Sequence, residues 1–317
     1  MKFIKAHDNL HQWYKTNGRH SLPWRGIDNA YFIWVSEIML QQTQVKTVLE
    51  RFYFPFLQSF PSLEELAKAS EEEVLKMWEG LGYYTRARNL HKTAILCKTG
   101  LPTTQEELIQ LPGIGKSTAH AIASFAYKRA LPILDANVKR ILYRIFAIRS
   151  CSEKELWEKA YSFLDTQRTY DFNQALMDLG SSVCKSREAL CEVCPFEAIC
   201  QGKASPLEYP QKKLKKATPV RKRQIIIHCF DGKYALKRRE TKFLNGLWGF
   251  HEYKEEDEIA STQDLGKINH TYSHFKLQAK VYLHNKFVDD AQWFSLAEIQ
   301  DLPLSTADHK ALALLKD

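Results

Sequence analysis

Midway through the N-terminal two thirds of the chain the sequence reads Leu111-Pro112-Gly113-Ile114-Gly115-Lys116-Ser117-Thr118-Ala119. Two glycines one residue apart, set between segments of helical apolar spacing, let the backbone turn tightly and start a second helix at Lys116. The free amides at that start, with the positive end of the helix dipole, make a phosphate site indifferent to base sequence. The glycine and lysine spacing is not that of a nucleotide-binding P-loop. Working outward, Leu134-Asp135-Ala136-Asn137-Val138-Lys139-Arg140 opens a further helix on an aspartate, a residue whose first use at such a place is to cap the helix.

Cys184, Cys191, Cys194 and Cys200 follow with the spacing C-x6-C-x2-C-x5-C. Clustered cysteines in a reducing compartment read as metal ligands before disulfides. Structural zinc usually shows two tight knuckles, and only one C-x2-C exists here. The looser gaps of six and five favour the corners of a [4Fe–4S] cube. Lys185 and Arg187 ride on the same loop, while Cys97, Cys151 and Cys229 stand alone and read as small packed side chains.

The 317 residues are 44% hydrophobic and 26% charged, an ordinary globular composition suited to two domains. The pattern of residues 1–202 is helical throughout, with helices expected at 31–52, 85–97, 105–110, 116–128, 136–148, 153–164 and 171–183. Ser62 with Glu65, and Ser70 with Glu73, mark two more helix starts as capping boxes. Residues 203–223 hold Lys203, Lys212, Lys213, Lys215, Lys216, Arg221, Lys222 and Arg223 against Glu208, seven of the net charge of +8, and read as an exposed basic linker. Beyond it, 224–230 and 234–238 flank Asp231-Gly232, the signal of a β-hairpin. A strand at 276–284 and helices at 296–300 and 306–315 complete an α+β domain at 224–317. No apolar run reaches the length of a membrane span, and the N-terminus lacks a signal or transit pattern, so a cytoplasmic setting is expected.

Taken together, LPGIGKSTA, LDANVKR and the cysteine spacing resemble the helix-hairpin-helix, iron–sulfur DNA glycosylases. Leu22-Pro23-Trp24, Ser36-Glu37-Ile38-Met39-Leu40-Gln41-Gln42-Thr43 and Gly80-Leu81-Gly82-Tyr83-Tyr84 resemble, more narrowly, the adenine DNA glycosylases of the MutY type. The resemblance spans nearly the whole chain. It implies an all-α glycosylase domain with a [4Fe–4S] loop, followed by a MutT-like (Nudix-like) domain that reads 8-oxoguanine. The implied reaction is excision of adenine paired with 8-oxoguanine or guanine, in the cytoplasm and, if the cell is bacterial, at the nucleoid.

Adenine leaves only once its ring is protonated, and cleavage builds positive charge on the sugar. One neutral carboxylic acid and one ionised carboxylate are therefore required. By resemblance Glu37 is the acid, on a partly apolar helix face, Asp135 faces the sugar, and Asn137 is its polar neighbour. Asp178 aligns with a carboxylate accepting from the adenine amine. Gln42 and Tyr83 enter the duplex as the base is flipped, while Gly113, Gly115, Lys116, Ser117 and Lys139 contact the backbone. Relatives that also cut the strand carry a nucleophilic lysine where Ser117 stands. Lys116 is rotated by about 100° from it, so hydrolysis without obligatory strand cleavage is expected. Gly246-Leu247-Trp248-Gly249-Phe250 and Tyr272-Ser273-His274-Phe275 resemble the lesion-reading module, with Tyr272 where the family often has Phe. No Nudix metal-binding helix follows Phe250, so the module is read as binding rather than hydrolytic. A monomer on duplex DNA is expected, with the basic linker as the place for a protein partner. Two rivals are an endonuclease III-type glycosylase/lyase acting on oxidised pyrimidines and a non-catalytic lesion sensor.

Overall fold

The computed structural model describes residues 3–211, 217–259 and 262–315. The chain first forms α1 (Ile4–Asn17), α2 (Ala30–Leu40), α3 (Val45–Arg51), α4 (Tyr53–Ser59), α5 (Leu63–Lys68), α6 (Glu71–Met77) and α7 (Thr85–Leu96). It continues with α8 (Gln105–Leu108), α9 (Lys116–Tyr127), α10 (Ala136–Ile145), α11 (Glu153–Phe163) and α12 (Thr169–Ser182). The single helix expected at 31–52 is two, α2 and α3, separated by a break at Gln42, whose φ of 57° is left-handed; α4 begins beyond Phe52. Continuous apolar spacing hid the break. Both serine caps form as read; of these two, the reciprocal box closes at Ser70 and Glu73, while at Ser62 the serine half alone is present.

Packing divides the chain into two compact units, and they do not follow its order. One contains residues 1–42 and 99–214, the other 43–98 and 215–317. In the first unit α10 and α12 bury Val138, Ile141, Leu142, Leu176 and Leu179 in one core with Leu10 of α1. A second cluster joins Ile33 of α2 to Ala121 and Phe125 of α9. Being apolar nearly all round, α2 is an interior helix, with Trp34 and Val35 completely buried.

The second unit carries β1 (Val220–Phe230), β2 (Lys233–Arg238), β3 (Trp248–Gly249), β4 (His251–Lys254), β5 (Gln263–Thr271), β6 (Lys276–His284) and β7 (Gln292–Phe294), with α13 (Leu296–Asp301) and α14 (Thr306–Ala313). The strand order is β3-β2-β1-β6-β5, with β4 paired to β1 and β7 to β2. Asp231 and Gly232 turn the expected hairpin with φ of 49° and 71°, as a type I′ turn needs. The strand at 276–284 is placed where the pattern put it. The sequence reading did not identify β3, β4, β5 and β7, which are short or interrupted by glycine. One sheet face packs Ile225, Ile227, Val281 and Phe250 against Ile299 and Ala311 of the last helices. The helices 43–98 pack in this unit through polar ties: Trp248 Nε1 donates to Glu72 at 2.8 Å, and Glu79 accepts from the Leu304 amide at 2.7 Å.

The linker is shorter than expected. The Gln211 amide donates to the Arg149 carbonyl at 2.8 Å, and the Tyr209 carbonyl accepts from Arg144 at 3.3 Å, so 203–211 folds back on the first unit. Val220 to Arg223 already belong to β1. Lys212, Lys213, Lys215 and Lys216 lie outside the described residues. Among the described residues no helix is long and apolar enough to cross a membrane.

Candidate active site

Two carboxylates converge in the first unit. Glu37 lies on the interior helix α2, between buried Ser36 and Ile38. Burial first, and the negative charge of Asp135 second, push its pKa up to about 7, against the opposing pull of Arg25. Asp135 is the N-cap of α10, its Oδ1 accepting from the Val138 amide at 2.7 Å. Its Oδ2 accepts from Asn137 Nδ2 at 3.1 Å. Burial raises the Asp135 pKa too, while these hydrogen bonds and the charge of Arg140 work the other way. Asn137 is held in turn by Arg140, whose guanidinium donates to its Oδ1 at 2.9 Å and to the Gly180 carbonyl at 2.6 Å. Gly180 is needed there, because a Cβ on it would sit 2.5 Å from the Asn137 Cβ.

Asp178 does not stand ready for an incoming amine. Its Oδ2 accepts from the Arg19 amide at 2.9 Å and Arg25 at 2.7 Å, its Oδ1 from the Arg19 Nε at 2.6 Å and Arg25 at 2.8 Å. The carboxylate is 1% exposed, and despite burial the two arginines hold its pKa below the usual range. The expected amine contact is corrected to a buried ion-pair anchor, its acceptor positions taken by chain segments 19 and 25. What the sequence reading missed is Arg25, one residue beyond the quoted Leu22-Pro23-Trp24. It is buried, acts electrostatically on Glu37, and its Nε has no hydrogen-bond partner. An arginine beside a motif of apolar residues was the available signal.

The glycine turn lies where expected, with Gly113 at φ 77° and Gly115 as the N-cap of α9. Both are exposed, and a Cβ on Gly115 would meet nothing within 4 Å. Ser117 accepts from the Leu134 amide at 3.2 Å, tying the turn to the residue before Asp135. Lys116 lies over the Trp157 ring at 4.3 Å, and Lys139 pairs with Glu153 at 2.9 Å.

The four cysteines line one small cavity, together with Arg144 and Val183. Arg144 donates to Cys184 Sγ at 3.2 Å, and Arg140 Nε donates to the Cys184 carbonyl at 2.7 Å. Burial, and then the neighbouring sulfurs, push the thiols of Cys191, Cys194 and Cys200 up, that of Cys194 to about 12. Four cysteines lining one cavity, with a guanidinium donating to the sulfur of Cys184, supply the donor set that a thiolate-bound metal centre uses, although among the described residues they are not drawn together into a metal-holding group.

In the second unit Tyr83, left-handed at φ 52° and 45% exposed, has the Arg86 guanidinium 5.2 Å from its ring centre. It lines a cleft of about 710 Å³ with Phe243, Tyr272, Ser273 and His274. Ser273 and His274 are exposed and bonded to each other at 3.0 Å. Tyr272 is turned inward, its hydroxyl bonded to Ser305 and its pKa pushed by burial to about 12. Its ring meets Phe243 edge-on at 5.0 Å and lies 4.8 Å from Phe275.

A family model described as HhH-GPD superfamily base excision DNA repair protein matches residues 35–164, and a NUDIX domain model matches 224–314. The chain is 35% identical to the adenine DNA glycosylase of Buchnera aphidicola (subsp. Acyrthosiphon pisum), over 96% of this chain and 95% of that one. It is 32% identical to that of Rattus norvegicus, over 98% and 77% respectively. Among solved structures, a thermostable thymine-DNA glycosylase is 28% identical, covering 62% of this chain and 94% of its own, with a TM-score of 0.58. An endonuclease III–DNA complex, 17% identical with a TM-score of 0.56 over 64% of this chain and 95% of its own, shares the fold.

Proposed function

The chain belongs to the adenine DNA glycosylases, base-excision-repair hydrolases of the N-glycosidic bond, and from that premise we propose that Glu37 and Asp135 divide the chemistry between them. The observation that carries this is the pair itself: a half-buried carboxyl with a pKa of about 7 beside a carboxylate whose hydrogen bonds favour its charged form. Neutral Glu37 donates its proton to the flipped adenine ring. Ionised Asp135, held by the Val138 amide and Asn137, faces the positive charge that develops on the sugar. Arg25, anchored by Asp178, keeps a positive charge in the pocket and opposes over-protonation of Glu37.

The substrate we propose is adenine paired with 8-oxoguanine or guanine in duplex DNA. Gln42 and Tyr83 would fill or wedge the flipped-out position, both being exposed at left-handed turns. Gly113, Gly115, Lys116, Ser117 and Lys139 would hold the backbone. Ser273 and His274, at the exposed tip of the cleft, would read the lesion, with Tyr272 anchoring the tip from beneath. Excision is proposed to be purely hydrolytic, a reading supported by Ser117 bonding to Leu134 and by Lys116 lying on Trp157. The helix-hairpin-helix glycosylase family includes iron–sulfur members, and Cys184, Cys191, Cys194 and Cys200 would hold a [4Fe–4S] cluster here. Such a group would cross-link residues 184–200 and fix Arg144 and Arg140 behind Asn137. The evolutionary modules are 1–202 and 224–317, the setting is the cytoplasm or nucleoid, and the protein acts as a monomer.

The test is a single-turnover assay on a duplex labelled on the adenine strand opposite 8-oxoguanine, each sample run with and without hot alkali. Strand breaks only after alkali are the expected result. Breaks without alkali would mean an amine nucleophile, and intact strands in both lanes with normal binding would favour the sensor.

A further inference from the structure

One face of the β1–β6–β5 sheet packs the core; on the other, Gln224, Ile226 and His228 of β1 are buried, while the part formed by Lys222, β5 and residues 276–280 is solvated and basic. On β6, Lys276, Gln278 and Lys280 are exposed while Leu277, Ala279 and Val281 are buried. The register places Thr271 opposite Lys276, Asn269 opposite Gln278 and Lys267 opposite Lys280 on β5, and Lys222 of β1 opposite Gln278. Lys222, Lys267, Lys276 and Lys280 therefore share one face, and a groove of about 330 Å³ runs among three of them. One of the acidic groups nearby neutralises a lysine of this face. Glu255 pairs with Lys222 at 3.3 Å, and Asp264 is turned onto the Gly266 amide at 2.7 Å. Among the described residues Lys267, Lys276 and Lys280 make no ion pair.

Like charges directly opposite one another across two strands destabilise a sheet, so Lys267 facing Lys280 is a cost that folding does not require. Lysines on edge strands guard against sheet-to-sheet association. That accounts for Lys267 on β5, the last strand in the order, but not for Lys222, Lys276 and Lys280 on the interior strands β1 and β6. A polyanion accounts for Lys276 and Lys280 together with Lys267, while Lys222 is met by Glu255. The direction of the row is informative as well. β5 and β6 are joined by the turn that carries Ser273 and His274, so Lys276 stands two residues from that tip and Lys280 six. At about 3.4 Å per residue the row runs about 20 Å from the tip, roughly six base pairs of duplex at 3.4 Å each.

We propose that this face is a binding surface for the phosphate backbone of duplex DNA flanking the lesion. Its lysines follow the strand away from the base held at the tip. Only the direction of the row rests on the lesion-reading role of Ser273 and His274; the charge of the face stands without it.

The test is the salt dependence of binding to an undamaged 30-base-pair duplex, followed by fluorescence anisotropy. The full chain is compared with its Lys267→Gln/Lys276→Gln/Lys280→Gln variant. Three lost phosphate contacts should make the slope of log K against log salt shallower by about 2.7. The unmodified chain should then lose about 40-fold more affinity than the variant between 50 and 200 mM salt. Thermal melting checks the fold, and should the triple variant melt early, Lys276→Gln/Lys280→Gln replaces it with an expected difference of about 1.8. Parallel salt slopes overturn the proposal. So does an unchanged slope with lost binding of an acidic protein, which would give the face to that partner. Because the duplex is undamaged, failure of excision opposite 8-oxoguanine would overturn the proposed function and leave this result readable.

Discussion

The acid role of Glu37 makes a prediction that couples rate to stability. With a pKa of about 7 in place of 4.5, half of the enzyme carries the catalytic proton at pH 7. An unperturbed glutamate would be protonated in about 0.3% of molecules, so the pocket raises the competent fraction about 150-fold. Single-turnover excision should hold a plateau below pH 7 and fall tenfold per pH unit above it, reaching about 1% of the plateau at pH 9. The same shift weakens the fold. A carboxyl whose folded pKa lies above its unfolded one contributes stability that is complete below pH 4.5 and is lost as pH rises to about 7. The loss is about 3 kcal/mol. Glu37→Gln cannot ionise, so it should melt with the unmodified protein near pH 4.5 and well above it at pH 8. Its excision rate should drop at least 100-fold. The assay is a rate profile from pH 5 to 9 with parallel melting curves of both proteins. A flat profile, a limb near pH 4.5, or equal melting at pH 8 would refute the reasoning.

Asp178→Asn leaves two arginines facing a neutral amide in a buried site, which should cost about 3–5 kcal/mol, read as a large fall in melting temperature. Because Arg25 also opposes proton uptake by Glu37, its loss of anchorage should displace the falling limb of the rate profile. Asp135→Asn keeps an N-cap oxygen and should leave melting nearly unchanged while excision collapses. Asp135→Ala should lose excision together with about 1 kcal/mol of helix stability. Tyr272→Phe removes the hydroxyl bonded to Ser305. It should cost about 1 kcal/mol and lower the preference for adenine opposite 8-oxoguanine over adenine opposite guanine, measured as the ratio of the two excision rates.

Much of the fold was legible because its signals were local. Ser70 with Glu73 and Asp231 with Gly232 each state their geometry within four residues. The Gln42 break was illegible, because Gln41-Gln42-Thr43 carries no glycine or proline and apolar spacing resumes at Val45. A non-glycine residue at φ 57° is held there by surroundings that the sequence does not name. The unit boundary was hidden for a similar reason. Glu72 and Glu79 look like solvated helix residues until Trp248 and the Leu304 amide are placed beside them, more than 170 residues further on. At the site, residue types were legible and partners were not: Asp178 was found without Arg19 and Arg25.

The N-cap role of Asp135 and the catalytic role proposed for it need not compete. A helix N-terminus favours negative charge, through its free amides and its dipole. The Val138 amide takes one oxygen of Asp135 and Asn137 the other, so both bonds favour the ionised form in a place where burial favours the neutral one. Glu37, one helix away, has no such support, and the Asp135 charge is itself the second cause of its raised pKa. On the proposed assignment, the cap that starts α10 favours the charged form of Asp135 and leaves the proton to Glu37, both carboxyl groups being half-buried. If the two were equally supported, the proton would be shared and neither group would be reliably acid or base. The proposed division of labour rests on one helix beginning at Asp135 and another passing through Glu37.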